Sequence, residues 1–447
     1  MSQPQLKEPD TSTVRKAVAA SAIGNATEWF DYGIYAVSVT YITQHFFPGE
    51  YGTILALATF AFSFLVRPLG GIFWGPMGDR LGRKHVLALT ILMMAGATFL
   101  IGVLPTHETI GIAAPILLVI LRAVQGFSSG GEYGGAATMM AEYAPRNRRG
   151  FWGSFLEFGT LAGFALGSLI VLMGELTIGN EAMMDWGWRV PFLIAGPLGI
   201  VGLYLRSKLG ESPVFEEMDE KGSDEGSTGK VFGSLFKNHW QQILIMTGLV
   251  TAVNVVNYTL LSYMPTYFEN SVELSSQTTL TIMFLAQFGM MLLMPIGGFL
   301  SDKFGRKPMW AFSMIGLIVA SVPMYMIMPN GFWFALLGIF VLGVLYIPQL
   351  SSISATFPAM FPTQVRYAGF AITYNVATAA FGGTAPPVNE WLIGETGSPL
   401  VPAFYMMGAC VIGLIATLCM KETAGATIRG NQLPEVGVEA KFEADAK

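Results

Sequence analysis

Charged residues are scarce in this sequence. Lysine, arginine, aspartate and glutamate make up 12% of its 447 residues, whereas hydrophobic residues make up 52%. A soluble chain of this length could not bury so much apolar surface, so a lipid bilayer is the expected surrounding. The net charge of −5 is spread over loops and a tail and forms no basic face, which argues against a nucleic-acid partner.

Cysteine and histidine are also rare. The two cysteines, Cys410 and Cys419, lie in one apolar segment, which excludes an extracellular disulfide framework. The four histidines lie in loops or at segment ends without the spacing of metal ligands, and the run GFSSGG at 126–131 is a small-residue helix face, not a hydrolase nucleophile turn. We therefore expect no enzyme active site, no metal site and no cofactor.

Long apolar runs dominate what is present. A membrane-spanning helix needs roughly 20 apolar residues. The sequence predicts an all-α membrane protein with twelve spans, placed near 17–45, 52–78, 85–104, 110–143, 150–176, 188–208, 239–268, 276–301, 308–328, 331–360, 366–394 and 399–420.

Lysine and arginine occur in every second connecting loop. Of the 25 basic residues, 22 lie in the two tails and in every second loop, and the intervening loops have none. Because basic loops stay on the cytoplasmic side, both termini are predicted to be cytoplasmic, with the protein in a bacterial inner membrane. The predicted organisation is an N-terminal tail, a six-helix half, a polar linker, a second six-helix half and a C-terminal tail, at 1–16, 17–209, 210–238, 239–421 and 422–447.

The two predicted halves repeat each other. GDRLGRK at 78–84 follows the second span and SDKFGRK at 301–307 follows the eighth, and Pro145 and Pro362 each precede an arginine by four positions. An aspartate at such a helix end can accept hydrogen bonds from a neighbouring helix N-terminus and from arginines, which predicts a gate. The charges could instead only set the topology, but glycines at fixed offsets favour a tight turn. The predicted gating residues are Asp79, Arg83, Arg149, Asp302 and Arg306.

These motifs resemble those of a known family. GDRLGRK is similar to the loop signature of the major facilitator superfamily. GNATEWFDYGIY at 24–35, RPLGG at 67–71, LRAVQGFSSGGEYGG at 121–135 and WGWRVPF at 186–192 resemble its metabolite:proton symporters. YMPTYF at 263–268, FPAMFPTQVRY at 357–367 and MKETA at 420–424 are similar to the proline/glycine betaine osmolyte transporters.

The resemblance covers the chain from about Ala17 to Thr423. It implies two six-helix halves that rock about a central site, and coupling of substrate movement to protons. Some members carry a long C-terminal coiled coil, whereas residues 424–447 are short and have no heptad pattern.

Ionisable residues inside spans cost roughly 2.5–3.5 kcal/mol each at mid-depth, so they are functional candidates. Those of the first half are Glu28, Asp31, Arg67, Arg122, Glu132 and Glu157, whereas the cores of the last six spans have only Glu390, near an outer end. The sequence therefore places the chemistry in the first half.

Two polar stripes follow from helical spacing. Asn25, Glu28, Tyr32 and Tyr35 share one face of span 1, and Arg122, Gln125, Ser129 and Glu132 share one face of span 4. The stripes suit a cavity lining, and the alternative is a contact between helices. Trp29 and Phe30 are expected to pack against lipid or other helices.

Asp31 and Arg122 lie at similar predicted depths, about 21 and 27 Å above the cytoplasmic ends of their spans. In sugar-porter relatives an aspartate of span 1 and an arginine of span 4 form the proton-coupling pair, and the resemblance implies this role for Asp31 and Arg122, with Glu132 as a further candidate. The alternative is a permanent ion pair. Arg67 is expected to pair with Glu28 or Asp31 in a structural role.

The substrate class follows from charge. Two arginines against four acids favour a substrate with its own positive charge, such as proline or glycine betaine, and aromatic rings attract quaternary ammonium groups. The alternatives are a proton symporter of an organic acid such as 2-oxoglutarate or citrate, and a receptor or channel. We expect a monomer whose partners are the bilayer, protons and a small molecule. The candidate substrate-binding residues are Asn25, Glu28, Tyr32, Tyr35, Gln125, Asn254, Asn257, Tyr258, Tyr374 and Asn375.

Overall fold

This computed structural model describes residues 11–81, 83–130, 132–207, 235–428 and 433. Twelve long helical segments follow one another in these residues, so the all-α prediction is confirmed. Most of the predicted linker at 210–238 lies outside the described residues. We number the segments span 1 to span 12 in chain order.

Spans 1 to 6 form the N-terminal half. The described part of span 1 starts at Thr11, six residues before the predicted start at Ala17, and Val14 within this extension is buried. The bounds are Thr11–Val37 with Val39–Phe46 for span 1, Gly52–Leu81 for span 2, Arg83–Val103 for span 3, Ala113–Ser129 with Glu132–Tyr143 for span 4, Arg149–Ala182 with the π-helical turn Met183–Gly187 for span 5, and Arg189–Ser207 for span 6.

Spans 7 to 12 form the C-terminal half. Two of them are interrupted by π-helical turns, Tyr258–Tyr263 in span 7 and Thr378–Gly382 in span 11. The bounds are Trp240–Asn257 with Met264–Asn270 for span 7, Ser276–Phe304 for span 8, Arg306–Ile327 for span 9, Phe332–Leu350 with Ile353–Thr356 for span 10, Thr363–Ala377 with Ala385–Thr396 for span 11, and Val401–Cys419 for span 12.

Eight of the helical segments in the described residues are long and apolar enough to cross a membrane, and the apolar parts of spans 3 and 6 are shorter. Spans 1 and 11 are not among them, because both carry several polar residues. Span 1 contains Glu28 and Asp31, and span 11 contains Asn375, Asn389 and Glu390. A span that is polar in this way needs protein neighbours on its polar side.

The helix partners repeat after six spans. Span 1 packs on span 5, span 2 on span 4 and span 3 on span 6, and the pairs 7 and 11, 8 and 10, and 9 and 12 repeat this arrangement. The halves meet where span 5 contacts span 8, span 2 contacts span 11 and span 1 contacts span 7. The interface between the halves therefore contains both polar spans.

Glycines let several of these helices approach closely. A Cβ on Gly126 of span 4 would lie 1.8 Å from the carbonyl oxygen of Ser63 in span 2, and one on Gly130 would lie 2.1 Å from that of Arg67. Such small-residue contacts replace the hydrophobic driving force that helices lack in lipid. The glycines thereby bring the backbone of span 2, and with it Arg67, against span 4.

One end of the bundle is rich in arginine and is called the basic end, defined by Arg146, Arg149, Arg306 and Arg366. The chain after span 12 lies across it. The main-chain N–H groups of Arg306 and Lys307 donate to Glu422, Arg149 donates to the carbonyl of Ala426 at 3.0 Å, and Arg366 donates to that of Ile428. Residues 422–428, called the C-terminal segment, are therefore held by both halves.

Gly126→Ala is expected to destabilise the protein, because its methyl group would overlap the Ser63 carbonyl and overpacking costs about 1–3 kcal/mol. The check is the melting temperature of the purified protein in detergent. Gly408→Ala in span 12 is the matched control, since nothing lies within 4 Å of a Cβ there. Equal melting temperatures for the two variants would contradict the close contact of spans 2 and 4.

Candidate functional site

An aromatic cluster joins the two halves near their middle. It consists of Trp29 and Tyr32 of span 1, Phe60 and Phe64 of span 2, and Tyr258 of span 7, and we call it the central aromatic cluster. The Tyr258 ring lies 4.9 Å from that of Phe64 and 6.2 Å from that of Trp29, between ring centroids. Both contacts cross from one half to the other.

A buried ion pair lies beside this cluster. Arg67 of span 2 and Glu28 of span 1 are 3.5 Å apart, with side chains only 1% and 4% exposed. The Arg67 guanidinium also lies 5.6 Å from the centre of the Phe64 ring. Arg67 therefore neutralises Glu28 at the edge of the central aromatic cluster.

Three buried hydrogen-bond donors at this place have no partner within the described part of the chain. They are Nε of Arg67, Nε1 of Trp29 and the hydroxyl of Tyr258. A buried polar group without a partner costs about 1–3 kcal/mol. Unpaired donors and an arginine can bind a carboxylate. Aromatic faces can bind a cationic group, so these groups together suit a small molecule that carries both charges.

Trp29 packs against other helices, which is one of the two environments expected from the sequence. Its ring lies 5.5 Å from that of Phe164 in span 5 and 6.2 Å from that of Tyr258 across the interface between the halves, between ring centroids. Its spacing from Asn25 and Tyr32 places it on the edge of the polar stripe of span 1, which is the signal that could have identified it.

Arg122 and Asp31 are close but do not form an ion pair, as far as the described residues extend. Arg122 donates to Gln125 at 2.8 Å and to Ser63 at 3.1 Å, and its guanidinium lies 4.3 Å from the centre of the Tyr35 ring. Gln125 in turn donates to the Thr98 hydroxyl at 2.5 Å, and that hydroxyl donates to the Met94 carbonyl at 3.0 Å. The hydrogen bonds that start at Arg122 therefore pass through Gln125 and reach Thr98 of span 3.

Asp31 also borders a small cavity. The cavity lies between spans 1, 3 and 6, measures about 20 Å³, and is lined by both Glu28 and Asp31. A space of this size holds one water molecule. The two acids of span 1 therefore open on the same cavity.

Several predicted substrate-binding residues instead bond within the N-terminal half. The amide of Asn25 donates to Thr160 at 2.6 Å, Tyr35 donates to the carbonyl of Ala56 at 2.9 Å, and Gln125 donates to Thr98 of span 3. These residues therefore make contacts between helices, which was the alternative to lining a cavity. Tyr32 is different, because its ring belongs to the central aromatic cluster while its hydroxyl bonds to Ser129.

The predicted residues of the C-terminal half divide in the same way. Asn254 donates to Thr378 at 2.9 Å and Asn257 accepts from Tyr346 at 3.3 Å, so both bond within that half. Tyr374 and Asn375 reach across to span 4. The Tyr374 ring stacks on Tyr133 at 4.6 Å, and Asn375 donates to the Gly130 carbonyl at 2.9 Å.

At the basic end, Asp302 joins the two halves. Its carboxylate accepts from the main-chain N–H groups of Gly150 and Phe151 at the start of span 5, each at 2.8 Å, and from Arg306 at 2.5 Å. Gly305 has a positive φ of 99°, so the turn after Asp302 requires glycine. The side chains of Asp79, Arg83 and Glu132 lie outside the described part of the structure.

The opposite end, called the acidic end, carries other contacts between the halves. Thr40 of span 1 donates to Glu269 of span 7 at 2.5 Å, and Ser276 of span 8 donates to Glu175 of span 5 at 2.6 Å. Because contacts cross between the halves at both ends, the central aromatic cluster lies between two closed layers.

Curated relatives match nearly the whole chain. The glycine betaine/proline/ectoine/pipecolic acid transporter of Dickeya dadantii is 42% identical, over 94% of this chain and 86% of that protein. The proline/betaine transporter of Escherichia coli is 41% identical, with the same coverage of both chains.

The fold is also that of a solved transporter. The xylose transporter from Escherichia coli, in a partially occluded inward open conformation, aligns with a TM-score of 0.70 over 93% of this chain and 100% of that one, at 17% identity. The model of the Major Facilitator Superfamily matches residues 21–387. With two six-helix halves, contacts between them at both ends and relatives of this identity, the chain belongs to the Major Facilitator Superfamily of transporters.

Proposed function

We propose that the protein is a proton-coupled symporter that imports a zwitterionic osmolyte, such as proline or glycine betaine, by alternating access. The observation that carries this proposal is the Glu28–Arg67 pair beside the central aromatic cluster. The basic end is proposed to face the cytoplasm of a bacterial cell, in the inner membrane, with both termini on that side. The protein is proposed to act as a monomer.

A zwitterion can replace the internal ion pair without leaving a charge uncompensated. The carboxylate of the zwitterion binds Arg67 and the donors of Trp29 and Tyr258. Its ammonium group binds Glu28 and the aromatic faces. Removing one partner of a buried pair costs about 3–5 kcal/mol, so a substrate that carries both charges is favoured over one that carries only a negative charge. The named substrates of the curated relatives are of this kind.

Proton coupling is assigned to Asp31 and Arg122, with Glu132 as a further candidate. Hydrogen bonds link Arg122 through Gln125 to Thr98 of span 3, and the cavity that Asp31 lines against span 3 offers a place for water. When Arg122 moves with span 4, Asp31 loses this nearby positive charge and takes a proton. Gating is assigned to Asp302, Arg306 and Arg149, and by the repeat to Asp79 and Arg83.

The wild-type protein in proteoliposomes is expected to accumulate labelled proline or glycine betaine when the outside is acidic, and to lose accumulation when the pH gradient is collapsed. Labelled 2-oxoglutarate and citrate serve as comparison substrates in the same vesicles. Accumulation of these acids in preference to the zwitterions would replace the osmolyte proposal with the organic-acid alternative. No uptake of any of the four would favour a receptor.

Glu28→Gln is expected to weaken glycine betaine binding by about 1.5–3 kcal/mol, the scale of a hydrogen bond to a charged group. Binding of 3,3-dimethylbutanoate, in which carbon replaces the charged nitrogen, is expected to change little, because it has no cation for Glu28. Competition against labelled substrate measures both affinities, and Glu390→Gln is the control for a lost acid elsewhere. An equal loss for the two ligands would mean that Glu28 serves only to hold Arg67.

Asp31→Asn is expected to abolish accumulation driven by a pH gradient and to retain counterflow exchange, because exchange requires no net proton release. Arg122→Ala is expected to stop accumulation as well. Both are measured as initial rates in proteoliposomes loaded with or without unlabelled substrate. Accumulation by Asp31→Asn at the wild-type rate would exclude Asp31 from the proton path.

A further inference from the structure

A further buried acid lies at the interface of the halves and has no role in the site described above. Glu157 of span 5 is 2% exposed. It accepts hydrogen bonds from the hydroxyl of Tyr133 in span 4 and from Thr160 of its own helix, the latter at 2.9 Å. No lysine or arginine forms an ion pair with it within the described ranges.

The groups around Glu157 are neutral on every side that the structure describes. Span 4 contributes Tyr133, span 11 contributes Tyr374, which is stacked on Tyr133, and span 10 contributes Tyr346. Span 1 contributes Asn25, which donates to Thr160 at 2.6 Å.

The nearest charged groups on the helices packed against span 5 already have partners. Glu28 of span 1 is paired with Arg67. Asp302 of span 8 is bonded to Arg306 and to the start of span 5, two helical turns before Glu157. Among the residues that the structure describes, no ion pair joins a lysine or arginine of these helices to Glu157.

Hydroxyl neighbours suit a neutral carboxyl group. An ionised carboxylate can only accept hydrogen bonds, and burying it without a cation is costly. A protonated carboxyl donates to one hydroxyl and accepts from the other, which satisfies the same contacts without a net charge. Glu157 thus has the surroundings of an acid that carries a proton while the halves are closed.

The position of Glu157 links this proton to the conformational change. Glu157 lies eight residues into span 5, or about 12 Å from the basic end at 1.5 Å per residue. The hydroxyl of Tyr133 donates to Glu157 while the Tyr133 ring stacks on Tyr374, and this stack crosses between the halves. Separation of the halves at the basic end parts the two rings and exposes the carboxyl group to water.

We propose that Glu157 binds a transported proton in the closed state and releases it at the basic end when the Tyr133–Tyr374 stack opens. This inference rests on the proposed proton symport and adds a second acid to it. The proton enters from the acidic end with the substrate. It leaves Glu157 for water, so the carboxylate is restored in each cycle.

The test is Glu157→Gln in proteoliposomes, with a pH dye inside and labelled proline outside. The expected result is loss of both accumulation under a pH gradient and substrate-linked proton entry, while counterflow of proline remains. Each loss is expected to be at least about tenfold, the change that one pKa unit represents. Glu390→Gln is the control for a lost acid elsewhere, because Glu390 of span 11 accepts from Tyr263 and Asn270 of span 7 within the C-terminal half. It is expected to retain accumulation.

Proton-coupled accumulation by Glu157→Gln at the wild-type level would overturn the inference and leave the proposed function intact. Wild-type uptake that ignores the pH gradient would overturn both. If Glu157→Gln does not fold, Tyr133→Phe retains the acid and the ring stack but removes one hydroxyl. In that variant the infrared C=O stretch of a protonated carboxyl is expected to shift from its wild-type position, and an unshifted band would also overturn the inference.

Discussion

A charge inside the hydrocarbon thickness of a membrane needs an opposite charge or a set of hydrogen-bonding groups at contact distance. This requirement governs how the N-terminal half is arranged. Glu28 has Arg67, and Arg122 has Gln125, Ser63 and the face of Tyr35. Two of the helices that carry these groups, spans 2 and 4, also approach each other closely at Gly126 and Gly130. Compensation of charge and close packing of helices are therefore two aspects of one arrangement.

The close packing depends on residues without side chains. Gly126 and Gly130 admit the backbone of span 2, and Gly159 and Gly163 of span 5 admit that of span 1, where a Cβ on Gly163 would lie 2.5 Å from the carbonyl oxygen of Ala26. Such contacts fix the heights of Glu28 and Arg67 relative to each other. A helix that moved by one turn, about 5.4 Å, would separate them. The C-terminal half, whose span cores hold few charges, meets this preformed arrangement with aromatic and amide groups.

Much of the fold could be predicted from the sequence because its signals are local. Apolar length predicts a span, alternate basic loops predict an orientation, and the repeated GRK turns predict two halves. Depth alone left Arg67 with Glu28 or Asp31 as its partner, and the structure shows Glu28. Which neighbour a polar face meets could not be anticipated. Helical spacing places Asn25 and Glu28 on one face, but the rotation of span 1 turns Asn25 towards Thr160 of span 5 and Glu28 towards span 2. The contact of Trp29 with Tyr258 depends on the other half of the chain, 229 positions away.

The C-terminal segment makes bonds that cannot all persist while the transporter works. Arg149 belongs to the N-terminal half and Arg366 to the C-terminal half, and their partners, Ala426 and Ile428, are only two residues apart in the chain. Two residues span at most about 7 Å. Any motion that moves these arginines apart by more than this length must break one of the two arginine–carbonyl hydrogen bonds. The bond must form again when the motion reverses. The rate at which the basic end opens therefore includes the breaking of hydrogen bonds from arginine side chains to carbonyl groups of the C-terminal segment.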